Sequence, residues 1–553
     1  MWGIDKKAHT SFFARHWPLG AAIISGIWLA LCFPPFRLGQ TAFLALAPLL
    51  CAIWIPRNMT AWRRFRLGFA TGFVAYTMIF WWLGELAPLF HTSALRLVPF
   101  GMGAGIALVP ALWAVFVGWF AGRQVWVEKP DPLNPKERPL LLSSMRNLGL
   151  GVVVAAAWVA LEWVRGFALL GFSWNTLGVA LHADVVMIQI ADITGVAGLG
   201  FLLALSNAIA VLTVLRLSAE VGRIKLRPHF DFLVTIALIV GSFSYGVRVL
   251  VRGASKEVTS VRVAAVQPNI PQAMKMDLDC SPEIFARFEQ LNAKAAERKP
   301  DLVLWPEACV PGGIFADVEV TDWVKAQAAL HPALLLGTDD FNRGGVGDDH
   351  NSAAFFVRGS TDISFHDKVN LVPFGEYLPW RPLLGWAFGG LVPGDFVPGA
   401  MPVQFPLDAR RVTLGPLICF EDTQSDIARA QVRGGADLLV NITNDGWFGF
   451  SGQLEQHLAN ALFRCVETRT PMVRATNTGA TASVDAFGRI DRWIPAHTTD
   501  VADRTIAISQ RGELPFFAKH GDLFSPTCAV VALGALIGRA WRRKRVDAPA
   551  VEP

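Results

Sequence analysis

Three short strings in the second half of the chain carry side chains able to do covalent chemistry: WPEAC at 305–309, FHDKVNLVPFGEY at 365–377 and LICFE at 417–421. They supply a carboxylate (Glu307), an ammonium (Lys368) and a thiol (Cys419), each in an apolar setting and each roughly 50 to 60 residues after the last. A base, a cation and a sulfur nucleophile are the parts that acyl transfer through a covalent intermediate requires.

Each group also has an ordinary alternative role. A Cys at the end of an apolar strand is more often a core residue than a nucleophile. Cys419 is followed by Phe420, Glu421 and Asp422; two acids so close raise a thiol pKa, so an active thiol needs Lys368 or a proton acceptor beside it. Glu307 follows Trp305 and Pro306. Partial desolvation there is expected to raise its pKa and suit it as a general base, the alternative being a carboxylate that caps a turn. Lys368 has Asp367 beside it, so its alternative is a surface ion pair. Glu376 and Glu421 are candidates for orienting Lys368 or the thiol, or else solvated loop acids. The run NITNDGWFG at 441–449 is rich in turn residues and could wall the site with backbone.

Positioning these groups calls for a scaffold of buried strands. Short apolar runs alternate with helical patterns: strands are expected at 261–267, 301–307, 333–338, 352–358, 411–420, 437–443, 471–476 and 483–488, and helices at 282–298, 318–329 and 453–468. Apolar runs without strict alternation, separated by helices, indicate sheets covered on at least one face, hence an α/β sandwich. Glu307 and Cys419 both fall at strand ends, where open α/β sheets bind ligands.

Segment 380–400 places Trp380, Trp386, Phe388 and Phe396 among five glycines. A loop so aromatic is read as a mobile lid that dips into a membrane interface, with core packing as the alternative.

The first half of the chain is membrane in character. The 553 residues are 52% hydrophobic and only 17% charged, too apolar for a soluble protein of two or three domains. Eight spans are expected, near 18–35, 41–55, 67–84, 100–121, 148–164, 195–215, 230–250 and 523–538. Lys6, Lys7 and Arg15 precede the first. Alternate loops hold Arg57, Arg63, Arg64 and Arg66, then Arg123, Lys129, Lys136, Arg138 and Arg146, then Arg216, Arg223, Lys225 and Arg227. These loops are expected on the cytoplasmic side. An even span count returns the basic tail (Arg539, Arg542, Arg543, Lys544, Arg545) to the same side, so both termini are expected in the cytoplasm and the 258–515 domain outside. The first span is read as an uncleaved anchor. Expected domains are 1–257, with about seven spans, 258–515, and 516–553. Glu162 and Arg165 bracket Trp163 at the outer end of the fifth span, near Trp174, and are candidates for admitting substrate.

The net charge of +5 is assigned to these loops, so it does not argue for nucleic acid. The cysteines show no CxxC or Cys/His metal spacing, and no metal or organic cofactor is implied. A disulfide among Cys280, Cys309 and Cys465 is open in an oxidising compartment.

Taken as an ordered set, LCFPPF (31–36), LAPLL (46–50), GFSW (171–174), VQPNIPQ (266–272), WPE, NLVPFGEYLP, ICFE, NITNDGWFG, QHL (456–458) and RATNTGATA (474–482) resemble the nitrilase superfamily. With spans before and after, the chain is similar to the bacterial apolipoprotein N-acyltransferase family over nearly its whole length. The resemblance implies a periplasmic αββα sandwich on an inner-membrane helical bundle. It implies Glu307 as general base, Lys368 as oxyanion stabiliser and Cys419 as nucleophile, supported by Glu376 and Glu421. It further implies a phospholipid acyl donor, a diacylglyceryl apolipoprotein acceptor and a Cys thioester between them, with no cofactor. Phe420 replaces a frequent Tyr, Met276 a frequent Trp and Ser173 a frequent Pro; with Trp380, Trp386 and Phe388, Met276 and Phe420 are candidate lipid contacts. The competing readings are a membrane-tethered nitrilase-type amidase and a non-catalytic membrane scaffold.

Overall fold

A computed structural model describes residues 12–546 apart from 57, 122–139, 169–170, 221–228, 254–256, 316, 342, 344, 346, 391, 393 and 510–511. Of the charges used above for orientation, Lys6, Lys7, Arg57, Arg123, Lys129, Lys136, Arg138, Arg223, Lys225 and Arg227 lie outside the described residues.

Among the described residues, five helices are long and apolar enough to cross a membrane: Ser93–Ala121, Ser144–Ala168, Met187–Ser218, Phe230–Arg252 and Phe524–Trp541. A sixth is obtained if Ala61–Ile79 and Trp81–Leu89, bent by 52°, count as one. The expected spans at 18–35 and 41–55 fall on two further apolar helical stretches, Phe12–Leu31 and Gly39–Trp54. The first ends at Leu31, ahead of Pro34 and Pro35, which lack the N–H groups that would continue the backbone ladder.

Small residues set the packing of this region. Gly68 and Gly72 stand one turn apart on Ala61–Ile79, and a Cβ on either would lie 2.2–2.4 Å from atoms of Pro110 on Leu108–Ala121. Two backbones can therefore approach where lipid supplies no hydrophobic drive, and dispersion contacts hold them.

Between residues 257 and 509 the chain forms two six-stranded sheets. The first has the order β12-β1-β2-β3-β4-β5 and the second β11-β10-β9-β8-β7-β6. Their strands are β1 (Glu257–Gln267), β2 (Leu302–Leu304), β3 (Ala333–Asp340), β4 (His350–Val357), β5 (Ser364–Asp367), β6 (Phe405–Leu407), β7 (Val412–Ile418), β8 (Leu438–Thr443), β9 (Met472–Thr476), β10 (Thr481–Val484), β11 (Ile490–Ile494) and β12 (Asp500–Ser509). The centre of each sheet is parallel, β1-β2-β3 in one and β7-β8-β9 in the other, and the flanking pairs are antiparallel.

Strand periodicity distributes the apolar side chains between layers. Val263 and Ala265 face Ile418, Val440 and Val473 across the sandwich, while Ala264 and Val266 face outward. The outward face of the first sheet is covered by α1 (Ser281–Glu297) and α2 (Val318–Ala329), through Ile284, Phe288 and Val324. The second sheet is covered by α3 (Ser425–Arg433) and α4 (Gln453–Thr468). Here Leu458, Leu462 and Val466 belong to one apolar cluster that continues into the membrane helices. Every residue of α4 except Glu455 is buried, because the helix lies between the sheet and the membrane region.

All seven cysteines are free thiols, so Cys280, Cys309 and Cys465 form no bridge with one another.

Gly72→Leu is expected to lower the thermal unfolding midpoint in detergent by overpacking, at a cost of about 1–3 kcal/mol. Gly101→Leu, whose Cβ meets nothing within 4 Å, should leave the midpoint unchanged; equal shifts would refute close packing at Gly72.

Candidate active site

Glu307, Lys368 and Cys419 come together at the ends of strands from both sheets. Glu307 lies just beyond β2, where Gly337 N donates to Pro306 O (3.1 Å) and Trp305 N to Leu335 O (2.9 Å). A Cβ at Gly337 would stand 2.5 Å from Glu307 Cα, so glycine is what allows the carboxylate's backbone to cross β3 at that distance. Its Oε1 accepts from Asn351 Nδ2 (2.8 Å) and Lys368 Nζ (3.2 Å), and its Oε2 from the backbone N–H of Asn444 (2.9 Å). The 441–449 run thus contributes backbone to the site, as its turn composition suggested.

Lys368 follows β5 and is 1% exposed, which rules out the surface ion pair. Its Nζ donates to Glu376 Oε1 at 2.7 Å as well as to Glu307. Asp367 pairs instead with Arg343 (2.8 Å) and Ser352 Oγ (2.7 Å), because neighbouring side chains at a strand end point to opposite faces. Glu376 accepts from Asn351 Nδ2 (2.7 Å) and, through Oε2, from Val372 N (2.7 Å), which folds the 368–377 loop back over the ammonium.

Cys419 opens a 3-10 turn directly after β7 and has φ of 50°. A non-glycine residue in that region costs about 1–3 kcal/mol and persists only where its surroundings hold it. Asn441 Nδ2 donates to Cys419 O (3.1 Å), and Glu421 Oε2 accepts from Ile418 N (2.8 Å). Glu421 Oε1 also accepts from Val369 N at 2.7 Å. Glu421 therefore ties the Cys419 turn to the Lys368 loop through backbone N–H groups. The next residue, Phe420, stacks on Phe172 and Trp174 of the membrane region, with centroids 5.9 and 6.1 Å apart.

The electrostatics reverse one expectation. Burial pushes Glu307 upward, but Lys368, the hydrogen bonds from Asn351 and Cys419, and Lys275 together hold it below the ordinary glutamate value. Desolvation was read from Trp305 and Pro306, whereas the compensating cation comes from another strand. The Cys419 thiol is pushed far up by burial and by Glu307, with Lys368 opposing. Lys368, desolvated but facing two carboxylates and the thiol, is held well above the usual lysine range. The resting site is thus an anionic Glu307 hydrogen-bonded by a protonated thiol, the arrangement a general base needs.

A cleft of about 400 Å³ is lined by Gly171 from the membrane region, Val369, Asn370 and Leu371 from the Lys368 loop, Tyr377, Phe396, Phe420 and Gln424; it reaches the chain neighbours of Lys368 and Cys419 but not those residues themselves. Trp380 and Trp386 are 62% and 88% exposed around the short helix Arg381–Phe388, and Met276 is also exposed. The side chain of Phe388 lies outside the described residues. Glu162 and Arg165 are not at the cleft. Glu162 Oε1 accepts from Leu177 N (2.8 Å) and Arg165 Nη2 donates to Trp174 O (3.0 Å), so they hold the loop that presses Phe172 and Trp174 onto Phe420.

Residues 25–209 match the model of an apolipoprotein N-acyltransferase N-terminal domain, and residues 262–516 the carbon-nitrogen hydrolase model. An apolipoprotein N-acyltransferase of Geobacter metallireducens is 33% identical over 533 residues, 95% of each chain. The chain belongs to the apolipoprotein N-acyltransferase family. Relatives of that name from Caulobacter vibrioides and Bordetella bronchiseptica are 29% identical over 98% of this chain and 97% of their own, and 31% over 81% and 82%, respectively. Among solved structures, a mutant of Nesterenkonia AN1 amidase from the nitrilase superfamily is 17% identical, with a TM-score of 0.35 over 52% of this chain and all of its own.

In this apolipoprotein N-acyltransferase family member, several residues at the site have no counterpart in the sequence expectations. Asn351 bridges Glu307 and Glu376 from β4. Lys275 Nζ donates to the Glu307 backbone carbonyl (3.1 Å), and Gln272 Oε1 accepts from Asn444 Nδ2 (2.8 Å), so the segment 272–275 ties the Glu307 backbone to the loop whose N–H holds its carboxylate. Asp339, near Lys275, is pushed up to about 7 by burial. The strings containing Gln272 and Asn444 were visible; their meeting was not.

Removing Lys368 takes away the largest of the influences that offset the burial of Glu307. In Lys368→Met the carboxyl should protonate near neutral pH, and alkylation of Cys419 at pH 7 should fall at least about 100-fold, the scale of a lost general base. An unchanged alkylation rate would show that Lys368 does not set the charge of Glu307. In the wild type, with Glu307 held low, the acid limb should lie below about pH 4.3, the ordinary glutamate value.

Proposed function

We propose that this protein transfers a fatty acyl chain from a phospholipid to the α-amine of an apolipoprotein's N-terminal diacylglyceryl-cysteine, through a thioester on Cys419. The observation that carries the reading is the shared wall of the cleft: the residue next to the nucleophile, Phe420, is clasped by Phe172 and Trp174 of the membrane region, and Gly171 lines the same space. An acyl donor reaching Cys419 there comes along the bilayer. A soluble amide needs no such wall, so the amidase reading is not favoured.

The chemistry follows from the charges. Glu307 accepts the thiol proton, and the thiolate attacks the ester carbonyl. One negative charge thereby leaves Glu307 and appears on the tetrahedral oxyanion, while Lys368 remains between them. The ammonium's attraction shifts from the carboxylate to the oxyanion with little reorganisation, which is the condition for strong electrostatic stabilisation in a dry site. Collapse expels the lysophospholipid alkoxide, which takes the proton from Glu307 and leaves the thioester. In the second half, Glu307 accepts a proton from the incoming amine, the amide forms, and the thiolate leaves and is reprotonated.

The reading includes about eight membrane crossings, cytoplasmic termini and a periplasmic catalytic domain over 258–515 between membrane segments 1–257 and 516–553, in the inner membrane of a bacterium. It is supported by the arginine-rich loops and the basic tail. The exposed aromatics around Arg381–Phe388 fit a lid that rests on the lipid surface.

After incubation with phospholipid alone, the intact mass of the wild type should rise by one acyl group. Cys419→Ala should show no gain, and a diacylglyceryl-cysteine peptide should discharge the adduct as an N-acyl product. Release of free fatty acid without a stable adduct would instead indicate hydrolysis.

Trp386→Ser tests the lid. Seating a large apolar side chain in lipid contributes about 1.5–3 kcal/mol, so activity on vesicles should fall roughly tenfold or more while activity on a soluble thioester or ester is kept. Equal losses on both donors would remove the lid reading.

A further inference from the structure

Helix α4 carries two adjacent polar residues that serve different parts of the molecule and that the acyl-transfer chemistry leaves without a role. Gln456 faces the membrane region. Its Oε1 accepts from Trp82 Nε1 (3.1 Å), Trp174 Nε1 (3.1 Å) and Asn175 Nδ2 (3.0 Å), and its Nε2 donates to Pro34 O and Ile79 O, both at 2.9 Å. One side chain thus joins three separate stretches of that region to the catalytic domain, with every polar atom satisfied.

His457 faces the turn that carries Cys419. Its Nδ1 lies 2.8 Å from Asp445 Oδ1 and its Nε2 2.9 Å from Asp422 Oδ1. Asp422 belongs to the turn that Cys419 opens. Asp445 follows Asn444, whose backbone N–H donates to Glu307. Arg474 on β9 pairs with Asp422 and stands 3.6 Å from Asp445, closing a fully buried set of two carboxylates, an imidazole and a guanidinium. The Trp174 ring, bonded to Gln456, lies 5.3 Å from the His457 ring.

We propose that His457 is a positioning residue for acyl transfer, holding the turn of Cys419 and the loop that binds Glu307 in one register, and that Gln456 sets this register from the membrane region. A buried ionic cluster adds little stability compared with apolar packing of equal volume, so its value lies in geometry. The strained φ of Cys419 has to be maintained from outside its own turn, and His457 reaches that turn and the Glu307 loop at once. Membrane and catalytic regions are in this way parts of one active site, so displacement of the loops holding Trp82 or Trp174 reaches the thiol through two adjacent residues.

The enzymatic arm of the test rests on the acyl-transfer reading; the alkylation arm does not. The full chain in detergent would be compared as wild type, His457→Gln and Gln456→Leu. Cys419 alkylation by iodoacetamide would be followed by peptide mass across pH, beside single-turnover acylation by phospholipid. The groups facing the thiol from other elements are Glu307, Lys368, Lys275, Asp445 and Arg474. His457→Gln abandons one of its two carboxylates, so the alkylation profile should move to higher pH, with about tenfold slower reaction near pH 8, equivalent to one pKa unit. Maximal acylation should fall about 100-fold, the scale of a misplaced reacting geometry, while the apparent KM for phospholipid stays within about threefold, as expected for a loss confined to the chemical step. Gln456→Leu should move both readouts the same way. Folded variants with an unmoved alkylation profile, or a loss confined to KM, would overturn the inference. A wild type that is alkylated but never acylated would instead reject the donor reading. If His457→Gln does not accumulate folded, Gln456→Glu, which keeps the three accepted bonds, decides by the same two readouts.

Discussion

The ammonium of Lys368, buried between Glu307 and Glu376, is the interaction on which the rest of the site depends. Without it two carboxylates would share a dry pocket, and one would stay protonated. With it, Glu307 remains an anion and can serve as base to a thiol that burial keeps protonated. Breaking a buried pair of this kind by removing one partner costs about 3–5 kcal/mol, so the loop from 368 to 377, the Asn351 bridge and the glycine at 337 are committed to its geometry.

A second constraint is the placement of helix α4. A helix on the outer face of an α/β sandwich ordinarily has a solvent side. This one has none, because the membrane helices cover it and share its apolar cluster. Polar residues on such a helix must find partners inside the protein. Gln456, His457 and Asn460 find them on opposite sides, toward the membrane region and toward the nucleophile turn. The membrane region is therefore part of the site as well as its anchor.

The residues of the candidate site were legible because each sits in a local pattern that says strand, then end of strand, then reactive side chain. The pattern carried the positions of β1, β3, β4, α1, α2 and α4 nearly to their bounds. It missed α3, whose SDIARAQVR has only one narrow apolar face, and β12, whose alternation is diluted by Asp500, Asp503 and Arg504. It also overran at 483–488, where the chain turns after Val484. The first expected span shifted in its bounds, from 18–35 to Phe12–Leu31, since hydropathy averages across the Pro34–Pro35 break that backbone geometry does not cross.

Sequence by itself determined the chemistry available: a thiol, an ammonium and carboxylates at strand ends, set in a chain too apolar to leave the bilayer. These depend on residue type and on short-range periodicity, which are properties of neighbouring residues. Tertiary structure alone decided which charges meet. Lys368 turns away from Asp367 toward Glu307 and Glu376; Glu307 is lowered rather than raised; Glu162 and Arg165 brace the loop of Phe172 and Trp174; and Gln456 and His457 link two regions. Coulomb energies and desolvation depend on distances through space between residues far apart in the chain, and no local pattern contains those distances.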